Sequence, residues 1–179
     1  MSDSQKTELA IGAPVPNFML PVINRGDQIV LGDLKGHFVV LDFWSAECPW
    51  SVMYDAYFHD RVPLWAVQNI RFMAINSNAD ESDNRVRAAM AERKLAFTVM
   101  RDPGHEVANA YGATITPHVF VIDREGLLAY HGAIDDRTME REPTINYLDN
   151  ALAALLAGKT PNPAVTEARG CTIVRQQES

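Results

Sequence analysis

The stretch that most constrains this chain is Phe38-Val-Val-Leu-Asp-Phe-Trp44, an apolar and β-branched run broken only by Asp42. Such a run has no polar face to give to water, so it suits a central strand covered on both sides. Four residues on, Cys48 is followed by Pro49. Proline fits the first turn of a helix, where its missing N–H costs nothing. The pattern therefore predicts a buried strand that ends, turns, and delivers a cysteine to a helix start. The unpaired N–H groups and dipole of a helix N-terminus favour thiolate over thiol, which is what makes a cysteine nucleophilic at neutral pH.

The flanking sequence supplies the layers that such a strand needs. Phe18 to Val22 and Gln28 to Leu31 read as two short strands around Asn24-Arg-Gly-Asp27, and Gly32 to Gly36 as another turn. The helix opened by Pro49 is expected to run to about His59, with Pro63 limiting or restarting it. Ile70 to Asn76 reads as a strand, and Ser82 as the N-cap of a helix reaching about Lys94. Phe97 to Met100 is a short strand, His105 to Tyr111 a short helix stopped by Gly112, and Pro117 to Asp123 and Leu127 to His131 a hairpin around Arg124-Glu-Gly126. Ile145, Leu148, Leu152, Leu155 and Leu156 form one face of a last helix ending at Gly158. Alternating strands and helices imply an α/β layer structure with a mixed central sheet. Residues 1–13 are expected to be a mobile arm, 14–158 the domain, and 159–179 a tail carrying Cys171.

Composition narrows the function classes. With 16 basic and 23 acidic residues the 179-residue chain has a formal net charge of −7 and no clustered basic patch, which argues against nucleic acid or an anionic membrane as partner. No apolar run approaches the roughly 18 residues that span a bilayer, and the N-terminal residues show no signal-peptide pattern. The compartment expected from this is the cytoplasm. The two cysteines, Cys48 and Cys171, are too few for a disulfide scaffold or a four-cysteine zinc site.

Two motifs carry a resemblance. Asp42-Phe-Trp44 stands six to four residues before Cys48, and Thr114-Ile-Thr-Pro-His-Val-Phe-Val-Ile-Asp123 follows later in the chain. In this order they resemble the thioredoxin-like superfamily, within it the redoxin group of TlpA-like and AhpC/TSA-like proteins. The resemblance covers roughly residues 12–158 and implies an α/β thioredoxin-like fold, a central mixed sheet flanked by helices and preceded by an extra β-hairpin. It also implies that Thr116-Pro117 is a cis bond facing the active cysteine. By the same resemblance Thr116 and Pro117 bind substrate, the Thr116 backbone pairing with an extended segment, and Asp42 accepts a proton during thiol chemistry.

The chain departs from the family twice. Dithiol enzymes of the family carry Cys-x-x-Cys, whereas here Cys48-Pro49-Trp50-Ser51 puts a hydroxyl where the second thiol belongs. Ser51 is expected to hydrogen-bond the Cys48 thiolate, but it cannot release a mixed disulfide. True peroxiredoxins carry Pro-x-x-x-Thr/Ser-x-x-Cys; Ser45 matches the hydroxyl, but Leu41 stands in place of the proline. Cys171, in Arg169-Gly-Cys-Thr-Ile-Val174, offers a replacement thiol. The 13 residues from Gly158 span at most roughly 43 Å, more than enough for a domain with a radius of gyration of about 16 Å.

The expected site is thus Cys48, Cys171 and Asp42 as catalytic residues, with Ser45, Ser51, Trp44, Pro49 and Trp50 in support. Trp44 suits core packing, and Trp50 either a surface ring or a substrate platform. Glu47 reads as a solvated rim residue, and the loop Asp135 to Glu142 as solvated. His37, His59, His105 and His131 read as structural. Cys48, His118 and Cys171 together suit a soft metal such as Cu(I), but a cis-proline beside the cysteine blocks such ligation, so neither metal nor cofactor is assigned. The favoured activity is thiol-disulfide exchange on a protein or small-molecule disulfide, with regeneration by a thiol such as thioredoxin or glutathione. The alternatives are a peroxiredoxin-like thiol peroxidase or peroxide sensor acting on peroxide, and a non-catalytic peptide-binding module.

Overall fold

Strand β3 (Phe38–Phe43) is buried at all six positions and forms the middle of the molecule. The structure, a computed structural model, describes residues 8–177. On one side β3 pairs in parallel with β4 (Ile70–Asn76), which pairs in parallel with β5 (Thr98–Arg101). On the other it pairs antiparallel with β7 (His118–Ile122), itself antiparallel to β8 (Leu128–Gly132). The five-stranded order β5-β4-β3-β7-β8 is therefore mixed. An extra N-terminal hairpin, β1 (Met19–Pro21) with β2 (Gln28–Val30), precedes it. This is the thioredoxin-like α/β fold expected from the sequence.

The period-two alternation of β3 divides the core. Phe38, Val40 and Trp44 pack on one face with Phe58, Phe72, Val86, Met90, Leu148 and Leu152. Those partners come from α2 (Asp55–Val67), β4, α3 (Asp83–Glu92) and α5 (Tyr147–Leu156). Val39, Leu41 and Phe43 pack on the other with the hairpin, α4 (Glu106–Tyr111) and Ile173 of the tail. A fully buried side chain of this kind contributes roughly 1.5–3 kcal/mol. Asp42 lies on the first of these faces, level with Ala74 and Val119.

Local signals explain most boundaries. Ser82 caps α3 by accepting the Arg85 amide at 3.1 Å, and Gly112 ends α4 in a left-handed conformation at φ 69°. Pro63 differs from expectation. The helix runs through it to Val67, and the break falls at Tyr54, between the five-residue α1 (Pro49–Met53) and α2. The proline removes one N–H and frees the carbonyl of His59. That residue is exposed, so water can satisfy the carbonyl and the helix need not stop.

Of the N-terminal arm, residues 1–7 lie outside the described residues, while the Gly12 amide donates to the Leu128 carbonyl at 2.7 Å. The tail is built into the fold. The His131 amide donates to Ala164 and the Thr166 amide to His131, both at 3.1 Å. Gly132 allows this approach, since a Cβ there would stand 2.3 Å from the Thr166 carbonyl oxygen. Farther on, β9 (Cys171–Thr172) pairs antiparallel with β6 (Ile115–Thr116).

Candidate active site

Cys48 is the N-cap of α1, with Pro49 at the first helical position. Its sulfur is bonded to that of Cys171, the Cα atoms 6.0 Å apart and the residues 123 positions apart in sequence. The side chain is 3% exposed, and its sulfur lies 3.5 Å from the Thr116 carbonyl oxygen. The Thr116–Pro117 peptide is cis, as the resemblance implies. The structure thus brings Cys48, Cys171, Thr116 and Pro117 together, and the tail occupies the Thr116 edge where the family places an extended substrate.

The loop that carries Cys48 is held by its own Ser45 and by Glu81 and Arg93, which flank α3. The Ser45 hydroxyl accepts the amides of Cys48 at 3.1 Å and Glu47 at 3.2 Å, and donates to the Glu81 carboxylate. Glu81 also accepts the Ala46 amide at 2.9 Å and the Asn76 side-chain amide at 2.5 Å. Arg93 donates to the Ala46 carbonyl at 3.1 Å and pairs with Asp55 at 2.9 Å. Hydrogen bonds to a buried carboxylate are among the stronger ones, and Glu81 is only 3% exposed. Sequence reasoning missed Glu81. It lies 36 residues from Ser45, and nothing local in Asp80-Glu81-Ser82 announces the contact.

Several expected roles change. Ser51 does not reach Cys48; its hydroxyl accepts the Ser45 amide at 3.2 Å. The Ser45 hydroxyl is committed to the loop itself. Trp44 is fully buried and donates its indole N–H to Asp55 at 3.1 Å, so it is a core residue, while Trp50 is half-buried. Glu47 is at the rim, as expected, and pairs with Arg85. Asp135, expected in a solvated loop, is buried and accepts the Tyr54 hydroxyl at 2.5 Å. His118 pairs with another histidine. Its Nε2 lies 3.1 Å from Nδ1 of His131, and burial holds its pKa down at about 3. Of the three donors considered for a soft metal, the two sulfurs are bonded to each other and the His118 ring nitrogen is paired with His131.

Asp42 is fully buried, and neither carboxyl oxygen has a hydrogen-bond partner. Burial raises its pKa well above the ordinary carboxylate value, and the nearby charge of Asp55 adds to this, against an opposing contribution from the His118 backbone. The side chain is on the sheet face covered by α2, one residue from the end of the strand that leads to Cys48.

The AhpC/TSA family pattern matches residues 11–131, more than half of the chain. The chain belongs to the AhpC/TSA family. Within this family it is 31% identical over 123 residues to the thiol-disulfide oxidoreductase ResA of Bacillus cereus, 69% of each protein. A hypothetical protein from Sinorhizobium meliloti 1021 matches at TM-score 0.86 and 28% identity, over 96% of this chain and 98% of that one. A DsbE-type thiol:disulfide interchange protein from Chlorobium tepidum matches at TM-score 0.64 and 26% identity, over 69% and 85%. This AhpC/TSA protein is a thiol-dependent oxidoreductase with a redox-active cysteine pair, Cys48 and Cys171.

The same kinship overturns the cytoplasmic expectation. ResA- and DsbE-type thiol-disulfide oxidoreductases are typically extracytoplasmic or membrane-anchored. The expectation rested on finding no membrane-spanning run and no signal-peptide pattern, and an absence of that kind carries no address. Among the described residues, no helix is long and apolar enough to cross a membrane.

Proposed function

We propose that Cys48 is the nucleophile of a disulfide reductase and that Cys171 resolves the intermediate. The Cys48 thiolate attacks one sulfur of a substrate disulfide. The substrate S–S bond breaks, a Cys48–substrate bond forms, and the other substrate sulfur leaves as a thiolate and takes up a proton. The Cys171 thiolate then attacks Cys48, releasing the second substrate thiol and leaving the Cys48–Cys171 disulfide. Two electrons pass to the substrate, and an external thiol such as thioredoxin or glutathione restores the pair. The observation that carries this reading is the bond between Cys48 and Cys171. It supplies from the tail the second thiol that Ser51 lacks.

Asp42 is proposed as the proton acceptor. Burial raises the basicity of its carboxylate form, which can take the proton that a thiol must lose. Thr116 and Pro117 are proposed to seat the substrate, and Pro49 to fix the turn at the sulfur. The assignment of Cys48 over Cys171 as first attacker is supported by the hydrogen-bonded loop under Cys48 and by the short two-residue edge strand that carries half-buried Cys171. The peroxidase alternative is disfavoured by Ser45, whose hydroxyl already serves Glu81 and two amides.

The test is reduction of an insulin-type disulfide with purified wild-type, Cys48→Ser and Cys171→Ser proteins. Loss of reaction in Cys48→Ser, with a stable substrate adduct in Cys171→Ser, is the expected outcome. An adduct that forms on Cys171 and not on Cys48 would reverse the assignment.

A further inference from the structure

The tail continues past the disulfide as a bound strand with its own side-chain register. Successive residues of a strand face opposite ways, and here Cys171 and Ile173 face the protein while Thr172 is exposed. Ile173 is 2% exposed and packs in the core layer with Phe43, Ile75 and Val107. Its amide donates to the Thr114 carbonyl at 2.8 Å. Val174 donates to the Asn78 side chain at 3.0 Å and accepts the Ala79 amide at 2.8 Å. At the residue before the cysteine the space closes. Gly170 has φ 157°, and a Cβ there would stand 1.9 Å from the Thr116 carbonyl oxygen and 3.1 Å from Pro117 Cδ. The obstruction is mainly backbone, so it cannot yield by a rotamer change.

We propose that this groove docks an extended strand of an oxidised protein substrate with the pattern Gly-Cys-x-aliphatic, and that residues 170–173 are a tethered copy of that strand. The proposal rests on Cys48 being the nucleophile. Glycine is required before the substrate cysteine for the reason that it is required at 170, and the aliphatic side chain fills the site that Ile173 fills. Tail and substrate cannot share the Thr116 edge. The tail therefore leaves before the Cys48 thiolate attacks the substrate cysteine, expelling that cysteine's former partner sulfur as a thiolate. It returns as Cys171 attacks Cys48, and the substrate strand departs with the second thiol.

The test uses the full chain carrying Cys171→Ser and synthetic octapeptides of the tail sequence Glu-Ala-Arg-Gly-Cys-Thr-Ile-Val. The peptide cysteine is joined to thionitrobenzoate, whose release is followed by absorbance, and each rate is divided by that of the same peptide with free glutathione. The glycine peptide is expected to react about tenfold or more faster than one with alanine before the cysteine, because overpacking against backbone is costly. Serine in place of the peptide isoleucine should slow it again, and Ile173→Asp in the protein should speed it by loosening the competing tail. Equal normalised rates for all peptides, with or without Ile173→Asp, overturn the docking proposal. So does a protein that reacts with glutathione–thionitrobenzoate but with no peptide. Failure of Cys48 to react with any of these disulfides overturns the nucleophile reading beneath it.

Discussion

Cys48 and Cys171 share one bond, but the regions that carry them are built differently. The Cys48 loop sits where the central strand ends, with its amides and carbonyls held by Ser45, Glu81 and Arg93. Those contacts do not involve the disulfide, so the loop should be as ordered with the bond open as with it closed. The Cys171 strand has two residues and one pairing partner, β6, at an edge outside the main sheet. Anchors lie on both sides of it, at Ala164 and Thr166 against β8 and at Ile173 to Gln176 against the loops. Between them Glu167 and Arg169 are exposed. One region is a platform for a nucleophile, and the other a strap held on either side of a short edge strand.

Substitution of the two sulfurs is the harshest way to break this comparison. Cys48→Ser should abolish disulfide reduction, a loss of about a thousandfold or more, since no other group on the platform is a thiolate. Cys171→Ser should leave the first attack at its wild-type rate, measured as single-turnover thiol release. It should cut steady-state turnover by roughly ten- to a hundredfold, because resolution then waits for an external thiol. If both variants lose the first step equally, the two regions are not functionally distinct.

The platform itself is probed at Glu81. Glu81→Ala removes the acceptor of the Ser45 hydroxyl and the Ala46 amide, and denaturant unfolding should show a loss of roughly 2–4 kcal/mol, as for buried charge-assisted bonds. With the pair reduced, the same variant should slow Cys48 alkylation or shift its pH profile. An unchanged profile would mean that Glu81 supports the fold and does not position the sulfur.

The smallest effect concerns Asp42. Its folded pKa is raised, so between the ordinary carboxylate value near 4 and the raised value the folded state holds a proton that the unfolded state has released. Stability should therefore fall as pH rises through that window. Asp42→Asn removes the titration and should flatten the pH dependence, so that the variant gains stability relative to wild type as pH rises toward neutrality. Exchange with disulfide substrates should slow in the same variant. A variant that loses stability relative to wild type over that range would show that the carboxylate is satisfied in a way its burial does not suggest.

These regions also differed in how far the sequence exposed them. Phe38 to Trp44, Cys48-Pro49 and Thr116-Pro117 were legible because their signals are local: an apolar run, a helix-start proline, and a motif whose order resembles a known family. Ser82 was legible as a cap for the same reason. The grip of Glu81 on Ser45, the burial of Asp135 under Tyr54, and the pairing of Cys171 with Thr116 depend on residues far apart in the chain. For the tail, chain length gave reach and nothing more. Only the fold shows that the tail passes Thr116 so closely at Gly170 that a Cβ would not fit. Pro63 misled because a local rule about helices ignores whether water can reach the carbonyl it frees.

The most direct measurement of the account is peptide mapping by mass spectrometry of each single-cysteine variant after reaction with a disulfide substrate, with rates resolved in time. The account predicts rapid accumulation of adduct on Cys48 in Cys171→Ser and little or none on Cys171 in Cys48→Ser over the same interval. Equal rates at the two cysteines, or faster reaction at Cys171, would contradict the division between a nucleophile platform and a resolving strap.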